Sequence, residues 1–259
     1  MARATALITG ASGGIGLELA KRCAAAGNDV TLVARRKSEL ETLAAAFERD
    51  YGIQARPLAA DLADPGAPPF IFQSTGPIDI LINNAGFGRL GPFSQNDWNT
   101  EARMIQVNVT SLAHLTKLYL PGMLARRSGR ILNVASTAAF VPGPYMATYY
   151  ASKAMVFSLT LAIAAELEGT GVTATALCPG PTETGFGEVA GTTKTRLFKG
   201  PAMSAVDVAR EGFEAMMAGK PEVIAGARNR WMIWGTRFAP RKMLAGFAKR
   251  LNGPDEKGA

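Results

Sequence analysis

Short apolar runs alternate with stretches of helical periodicity along most of the 259-residue chain. Several of the apolar runs contain almost no polar residue, which is typical of strands that are covered on both faces. This alternation predicts βαβ units, and such units build a parallel sheet with helices on both sides. We predict strands at Ala4–Thr9, Asp29–Ala34, Gln54–Ala59, Ile78–Ile82, Arg130–Ala135, Thr173–Leu177 and a short one near Val223.

The stretches between these strands favour helices. Three prolines between Asp64 and Thr75 make any helix there short or irregular, because proline has no N–H to donate. We therefore expect an α/β fold, with a doubly wound (Rossmann) parallel sheet of about seven strands in three αβα layers. The longer helices are predicted at Gly14–Ala26, Lys37–Tyr51, Asp97–Arg127, Ala147–Glu168 and Ser204–Ala218.

Composition narrows the class of protein. An apolar share of 47% and a charged share of 19% are those of an ordinary globular chain rather than a disordered one. The chain has no secretory signal pattern and no run of about 18 apolar residues, so we expect neither a targeting segment nor a transmembrane helix. Two isolated cysteines, Cys23 and Cys178, predict no disulfide framework or metal cluster. A reducing cytoplasm is the default location.

A glycine-rich turn joins the first predicted strand to the first helix, with the sequence TGASGGIG from Thr9 onwards. Its glycines let the backbone approach a pyrophosphate, and the N–H groups of a helix N-terminus favour negative charge. A tight connection without a ligand is the alternative, since the spacing differs from the common G-x-G-x-x-G fingerprint. The turn predicts an anion site at Gly10, Ser12, Gly14, Ile15 and Gly16.

Two arginines follow the second predicted strand, where enzymes that use NAD usually place a carboxylate against the ribose 2′-hydroxyl. Arg35 and Arg36 instead offer forked donors that suit a 2′-phosphate. This favours NADP(H) over NAD(H) as the cofactor. The alternative is that both guanidinium groups are simply solvated at the start of the next helix.

Several short motifs follow one another in a fixed order along residues 4–184. They are TGASGGIG, then Asp61, Asn83-Asn84-Ala85-Gly86, Asn108, Ser136, Tyr149-Tyr150-Ala151-Ser152-Lys153 and Pro179-Gly180. In type, order and spacing they resemble the motifs of the short-chain dehydrogenase/reductase family, and the two arginines resemble those of its NADP-preferring members. The resemblance implies an oxidoreductase that moves a hydride between a nicotinamide cofactor and a carbonyl or alcohol carbon. It also implies cofactor contacts at Asp61, Leu62, Asn83, Ala85, Gly86, Tyr149, Lys153, Pro179 and Gly180.

One pair of these residues allows a physical argument about acidity. Tyr149 and Lys153 are four positions apart and share a helix face. A tyrosine has a pKa of about 10, and we expect the ammonium and a positive nicotinamide ring to pull the pKa of Tyr149 down. Ser136 follows the fifth strand, where its hydroxyl can donate to a developing alkoxide. The alternative is an exposed helix that happens to carry a tyrosine and a lysine.

The family resemblance assigns roles to these residues. It implies Tyr149 as the general acid/base, Lys153 as its tuner and ribose ligand, and Ser136 as the donor to the substrate oxygen. Asn108 would hold a water that links Lys153 to solvent. The neighbouring Tyr150 is expected to be a packing residue.

The stretch after the last motif combines apolar side chains with glycines and threonines. Thr184 stands where the family binds the nicotinamide carboxamide, with Thr182 as the second choice. A long surface loop without substrate contact is the alternative to a lid. We predict a lid over the substrate at residues 181–203, with apolar side chains at Phe186, Val189, Leu197 and Phe198.

The formal net charge of +7 is concentrated near the end of the chain. Between Val223 and Pro254 there are seven basic residues and no acid, which argues against a general nucleic-acid surface. Three hypotheses remain open: the apolar stripes there pack on the domain or a partner subunit, rest on an anionic membrane, or receive an acidic carrier of an acyl substrate. The stripes predict two short amphipathic helices with Trp231, Trp234 and Phe238 on the first and Leu244, Phe247 and Leu251 on the second.

These inferences combine into one expected activity. We predict residues 1–222 as one catalytic domain and residues 223–259 as an extension packed on it. The activity is NADPH-dependent reduction of a ketone or 3-oxoacyl-type substrate, or the reverse alcohol oxidation. The alternative is a non-catalytic NADP(H)-binding sensor or scaffold protein, which the complete set of catalytic residues disfavours. The resemblance further implies a homodimer or homotetramer, often through the helices Asp97–Arg127 and Ala147–Glu168.

Overall fold

A parallel sheet forms the centre of the computed structural model, which describes residues 3–193, 195–196 and 202–253. The strands in chain order are β1 (Thr5–Thr9), β2 (Asp29–Ala34), β3 (Ala55–Ala59), β4 (Ile80–Asn83), β5 (Gly129–Val134), β6 (Val172–Cys178), β7 (Thr182–Glu183), β8 (Met203–Ser204) and β9 (Glu222–Ile224). Within the described residues, seven of them form one sheet in the order β3-β2-β1-β4-β5-β6-β9. The prediction of a doubly wound α/β fold is confirmed. The edge strand β9 extends the sheet past the predicted domain boundary at residue 222.

Helices connect the strands. A π-helical turn over Gln106–Ser111 joins α4 to α5, so the predicted helix Asp97–Arg127 is one continuous helical run with a wider turn in the middle. The helix α3 is regular because its prolines stand in the first turn, where N–H groups have no helical partner. The helices are α1 (Gly14–Ala25), α2 (Lys37–Tyr51), α3 (Ala67–Thr75), α4 (Trp98–Ile105), α5 (Leu112–Arg126), α6 (Ala147–Glu166), α7 (Phe186–Ala190), α8 (Ala205–Met217), α9 (Ala227–Thr236) and α10 (Arg241–Asn252).

Helices cover both faces of the sheet. Leu19, Leu40 and Val208, from α1, α2 and α8, share one buried cluster with residues of β1 and β2. Ile71 and Leu115, from α3 and α5, belong to a second cluster on the other face. Strand order reverses at β1, which pairs with both β2 and β4. Open α/β sheets bind their ligands at such a switch point, in the crevice beyond the carboxyl ends of the strands.

The C-terminal extension forms two helices, of which only α10 is clearly amphipathic; α9 ends at Thr236, so the predicted Phe238 lies in the turn after it. Ala248 and Asn252 of α10 are buried, whereas α9 buries only Ile233. Trp231 and Trp234 of α9, and Phe238 after it, are exposed in the single chain. No helix in the described part of the chain has the length and apolar character needed to span a bilayer. Residues 254–259 of the predicted extension lie outside the described residues.

Candidate active site

A strut of hydrogen bonds joins the glycine-rich turn after β1 to the turn after β4. The Thr9 hydroxyl accepts from the backbone N–H groups of Asn84 and Ala85, at 3.0 and 3.1 Å. The Asn84 amide in return donates to the carbonyls of Thr9 and Gly10, at 2.9 and 3.3 Å. Thr9 is almost fully buried, so these bonds fix two edges of the crevice together. Both residues stand in the sequence motifs, but only the fold shows that they pair.

The turn itself requires glycine at its closest contacts. A Cβ atom on Gly16 would overlap the Gly10 carbonyl oxygen and the Asn84 amide. Gly14 has a φ of 55°, which side chains other than glycine rarely adopt. On the open side, an added Cβ on Gly13 would meet no atom within 4 Å, and α1 begins without a side-chain cap. The first N–H groups of α1 are therefore available to an anion.

The two predicted phosphate-binding arginines are not equivalent. Both are exposed beyond the end of β2. Arg36 forms an ion pair with Glu39, whereas Arg35 has no ion pair among the residues that the structure describes. Arg35 is thus the more available guanidinium. The predicted Ser12 and Ile15 lie half-buried on the neighbouring glycine turn.

Two further predicted cofactor residues follow β3. The Asp61 carboxylate accepts from the Ala63 N–H at 3.0 Å and pairs with Arg103 at 3.1 Å. Leu62 is buried, and its carbonyl accepts from the Ser111 hydroxyl at 2.7 Å. These contacts tie the end of β3 to the helical run after β4 and fix the shape of this side of the crevice.

Asn83 directs its side chain into the core instead of the crevice. Its amide donates to Thr116 and Asn133, at 3.1 and 2.9 Å, and Asn133 donates onward to Thr160 at 3.0 Å. All four side chains are buried and form a polar chain between α5, β4, β5 and α6. Because its side chain points into the core, Asn83 can make the predicted cofactor contact only through its backbone.

The predicted catalytic residues Tyr149, Ser136 and Lys153 come together beyond the end of β5. The hydroxyl of Ser136 donates to the Pro179 carbonyl at 3.4 Å, and it lies close enough to the Tyr149 hydroxyl to favour a lower pKa of that phenol. Lys153 is buried, and its ammonium donates to the Val134 carbonyl at 2.8 Å. The same ammonium lies 5.9 Å from the centre of the Tyr149 ring. One site therefore holds a phenol, a second hydroxyl and a cation.

Burial controls the acidity of this site. Desolvation raises the pKa of Tyr149 to about 12, and the hydrogen bond with Ser136 only partly opposes it. Desolvation also lowers the pKa of Lys153 to about 8. This shift is opposite in direction to the expected fall in the pKa of Tyr149. The fall was expected with a positive nicotinamide ring beside the phenol, so it stays a prediction for the cofactor-bound protein. Tyr149 keeps its proton at neutral pH.

Asn108 lies in the π-helical turn, a feature that is frequent at functional sites. Its amide donates to the Phe87 carbonyl at 2.9 Å and to the Ser152 hydroxyl at 3.1 Å, and its oxygen accepts from the Phe87 N–H at 3.0 Å. A Cβ on Gly86 would lie 3.1 Å from the Asn108 oxygen and 3.3 Å from the Lys153 nitrogen. Gly86 therefore leaves room beside both groups. A water held by Asn108 stays a prediction.

The two candidate threonines of the predicted lid have different environments. A Cβ on Gly14 would lie 3.0 Å from the methyl group of Thr184, so this side chain stands against the glycine turn. The Thr182 hydroxyl instead donates to the Gly180 carbonyl at 2.9 Å. Thr182 belongs to β7, which pairs in parallel with β8 and so joins the two ends of the segment.

One side chain of the predicted lid covers the catalytic tyrosine. The centroids of the Phe186 and Tyr149 rings lie 5.2 Å apart. Val189, by contrast, is exposed. Leu197 and Phe198 lie outside the described residues. Their place in a lid over the substrate therefore stays a prediction.

The end of α10 reaches the catalytic helix. Asn252 accepts from the Tyr150 hydroxyl at 3.3 Å and donates to the Pro144 carbonyl at 3.0 Å. Tyr150 is buried, and a Cβ on Gly143 would overlap its ring. The C-terminal extension thus holds the loop that precedes α6. In the sequence, Asn252 is one polar residue at the end of an amphipathic helix, which is too weak a signal to reveal this contact.

Comparison with known proteins decides the family, since the model of the short chain dehydrogenases matches residues 4–195. The chain belongs to the short-chain dehydrogenases. This short-chain dehydrogenase is 40% identical over 189 residues to a short chain dehydrogenase of Pseudocercospora fijiensis, across 71% of this chain and 61% of the relative. It is 31% identical to a 7beta-hydroxysteroid dehydrogenase of Collinsella aerofaciens, across 86% of each chain. It is 38% identical to a very-long-chain 3-oxoacyl-CoA reductase of Phaeosphaeria nodorum, across 64% of this chain but only 51% of the reductase.

Solved structures of other short-chain dehydrogenases share the fold. One from Sphingobium yanoikuyae in complex with NADPH has a TM-score of 0.80 and 32% identity, over 91% of this chain and 94% of that one. One from Burkholderia phymatum in complex with NAD has a TM-score of 0.79 and 25% identity, over 90% and 92%. The family is one of oxidoreductases that act on hydroxyl and carbonyl groups, and these two neighbours bind NADPH and NAD.

Proposed function

We propose that the chain is an NADPH-dependent carbonyl reductase, able to run in reverse as an alcohol dehydrogenase, for an apolar ketone or 3-oxoacyl-type substrate. The observation that carries the proposal is the environment of Tyr149. Its hydroxyl lies beside that of Ser136, the centre of its ring lies 5.9 Å from the Lys153 ammonium, and desolvation raises its pKa to about 12, so the phenol is protonated at neutral pH. A protonated phenol beside a second hydroxyl is a proton donor suited to a carbonyl oxygen.

Three features of the crevice support NADP(H) as the cofactor. The open side of Gly13 and the uncapped start of α1 leave backbone N–H groups for a pyrophosphate. Arg35 has a forked guanidinium available for a 2′-phosphate. Lys153 and Thr184 border the same crevice, which supports their predicted contacts with the ribose and the carboxamide.

The catalytic side chains have separate tasks in this proposal. As the carbonyl oxygen becomes an alkoxide, Tyr149 gives it the phenol proton and Ser136 donates a hydrogen bond to the same atom. The Lys153 ammonium, fixed by the Val134 carbonyl, then stabilises the phenolate. When bound, NADPH supplies the hydride for the carbonyl carbon.

Apolar side chains around Tyr149 support an apolar substrate. Phe186, Met146 and Leu90 belong to the same apolar cluster as the catalytic ring. Such walls favour a ligand with an apolar body and few polar groups. Two relatives are named for a hydroxysteroid and a very-long-chain 3-oxoacyl-CoA; the steroid body and the long acyl chain are apolar.

The test is steady-state oxidation of NADPH with a panel of ketones, aldehydes and 3-oxoacyl thioesters, repeated with NADH. We expect turnover of at least one apolar ketone and a preference for NADPH. Tyr149→Phe should bind NADPH normally but lose about a hundredfold or more in kcat, since a positioned acid contributes about 10²–10⁴-fold. Tyr150→Phe is the matched control and should keep most of the rate.

Two outcomes would reject the proposal. A wild-type rate in Tyr149→Phe removes the assigned proton donor. Tight NADPH binding without turnover of any compound in the panel would instead favour the non-catalytic sensor.

We also propose a homodimer or homotetramer built through α4–α5 and α6. Ile105, Leu124 and Met155 are exposed apolar residues on these helices. Light scattering coupled to size-exclusion chromatography should give a mass of two or four chains, and a monomer would contradict the proposal. A cytoplasmic location stays a prediction.

A further inference from the structure

Two helices at the end of the described chain carry an apolar surface that the domain leaves uncovered. Its members are here called the tail patch: Trp231, Trp234, Phe238, Met243 and Phe247. Its three rings are well exposed: Trp231 by 72%, Trp234 by 54% and Phe238 by 73%. Their rings contact one another edge to face, with centroids 5.9 and 5.0 Å apart. The exposed rings therefore form a continuous stripe rather than scattered single residues.

The charge around the tail patch has one sign. Residues 223–253 contain seven basic side chains and no acidic one. Arg230 pairs with Glu211, which lies on α8. For Arg228, Arg237, Arg241, Lys242, Lys249 and Arg250, no ion pair occurs within the described ranges. The patch is thus an apolar stripe flanked by six cations that have no ion pair with any residue that the structure describes.

We infer that the tail patch binds the surface of an anionic lipid membrane. Aromatic rings next to arginine and lysine suit the boundary between acyl chains and headgroups, because the rings enter the apolar zone while the cations stay at the charged surface. Two helices joined at Pro240 present this combination on an exposed surface.

Two other occupants fit the observations less well. A second copy of the chain would bring a second set of seven cations against the first, and like charges repel at an interface. An acidic carrier protein would satisfy the charges, but its acidic surface gives the three exposed rings no apolar partner. The lipid surface satisfies the rings and the cations together.

The hydrogen bonds of Asn252 place the tail patch relative to the catalytic site. They join the end of α10 to Tyr150 and to the Pro144 carbonyl, in the loop just before the catalytic helix. Binding at the patch would therefore hold this loop near the membrane. The inference itself does not depend on the reductase activity.

The test is co-sedimentation of the full chain with vesicles of phosphatidylcholine alone or mixed with phosphatidylglycerol, at low and high salt. We expect pelleting with the anionic vesicles at low salt and release at high salt, because exposed charges are screened by ions. The triple variant Trp231→Ala/Trp234→Ala/Phe238→Ala should lose at least about tenfold in vesicle affinity. Its control is Phe70→Ala/Phe93→Ala, which removes two exposed rings elsewhere and should pellet like the wild type.

Charge reversal tests the second half of the inference. Lys242→Glu/Lys249→Glu should also lose at least about tenfold in affinity for anionic vesicles. Arg49→Glu/Lys220→Glu changes the net charge equally at exposed positions outside the patch and should bind almost as well as the wild type. Circular dichroism of each variant checks that it remains folded.

Several results would overturn the inference. The wild type could fail to pellet with anionic vesicles at low salt, or the triple ring variant could pellet equally well. Binding to a purified acyl carrier protein without binding to vesicles would identify a carrier surface instead. A loss of oligomer mass in the ring variant, without a change in vesicle affinity, would identify a subunit interface.

Discussion

Replacing Arg35 by alanine should weaken the binding of NADPH selectively. Arg35 is exposed and has no ion pair among the described residues, so its guanidinium is free to meet a 2′-phosphate. A hydrogen bond to a charged group contributes about 1.5–3 kcal/mol, which corresponds to about 10- to 150-fold in Kd. The Kd of NADPH should rise by that factor. The Kd of NADH should change less than about twofold, because NADH has no phosphate at this position.

Two variants near Arg35 should change the affinity for NADPH in opposite directions. Arg36→Ala should weaken NADPH binding less than Arg35→Ala, because Glu39 already neutralises part of the Arg36 charge. Glu39→Gln should strengthen NADPH binding, because it frees Arg36. Two substitutions within one turn of α2 are thus expected to change the same affinity in opposite directions.

Fluorescence titration of NADPH and NADH measures these affinities directly. Ionic strength must be held constant, since charges at exposed sites are screened beyond about 10 Å at 0.1 M salt. Equal losses of affinity for the two cofactors in Arg35→Ala would refute the reasoning. A larger loss in Arg36→Ala than in Arg35→Ala would show that the ion pair with Glu39 opens on binding and that the assignment to Arg35 is wrong.

Three further predictions concern the packing and the pH response of the site. Thr9→Val keeps the side-chain shape but leaves two half-buried N–H groups without their acceptor, so urea unfolding should show a loss of about 2 kcal/mol in stability; Thr9→Ser should lose about half as much. Asn252→Ala removes the partner of the buried Tyr150 hydroxyl and should lower the free energy of unfolding by about 1–3 kcal/mol, whereas Asn99→Ala on the exposed side of α4 should cost less than about 0.5 kcal/mol in the same assay. Burial lowers the pKa of Lys153 from 10.5 to about 8, so between these pH values the unfolded chain holds a proton that the folded protein has released, and this group adds stability as the pH rises. Lys153→Met should remove that gain in the free energy of unfolding, which is on the order of 3 kcal/mol. If the free energy of unfolding depends on pH in the same way in the wild type and in Lys153→Met, the pKa of Lys153 is not lowered by burial.

Local patterns were sufficient to predict the framework of this protein. The strands β1, β4 and β6 are buried on both faces, so their apolar runs stand out in the sequence. Tyr149 and Lys153 share a face of α6 because helix geometry alone brings positions four apart together. Predictions that depend on neighbours in the chain were therefore close to the observed structure.

Properties that arise from distant contacts could not be predicted in the same way. The strut between Thr9 and Asn84 joins residues 75 positions apart. The pKa of Tyr149 depends on how completely the fold removes water from the ring, and the sequence indicated only the neighbouring cation. The inward direction of Asn83 likewise depends on its partner Asn133 on the next strand. Long-range pairing and desolvation, rather than local propensity, decide these features.

The chain of buried polar side chains through the core helps to fix the register of β4 against β5. Asn83 and Asn133 stand directly opposite each other on the two strands, and Thr116 and Thr160 complete the chain from the helices. A slip of one residue would turn an amide to the other face and leave buried donors without acceptors, whereas an apolar pair could slide with little penalty. Such a chain excludes wrong pairings more than it strengthens the right one. Because Ser136 lies two residues beyond the end of β5, the same amides set where the catalytic hydroxyl emerges.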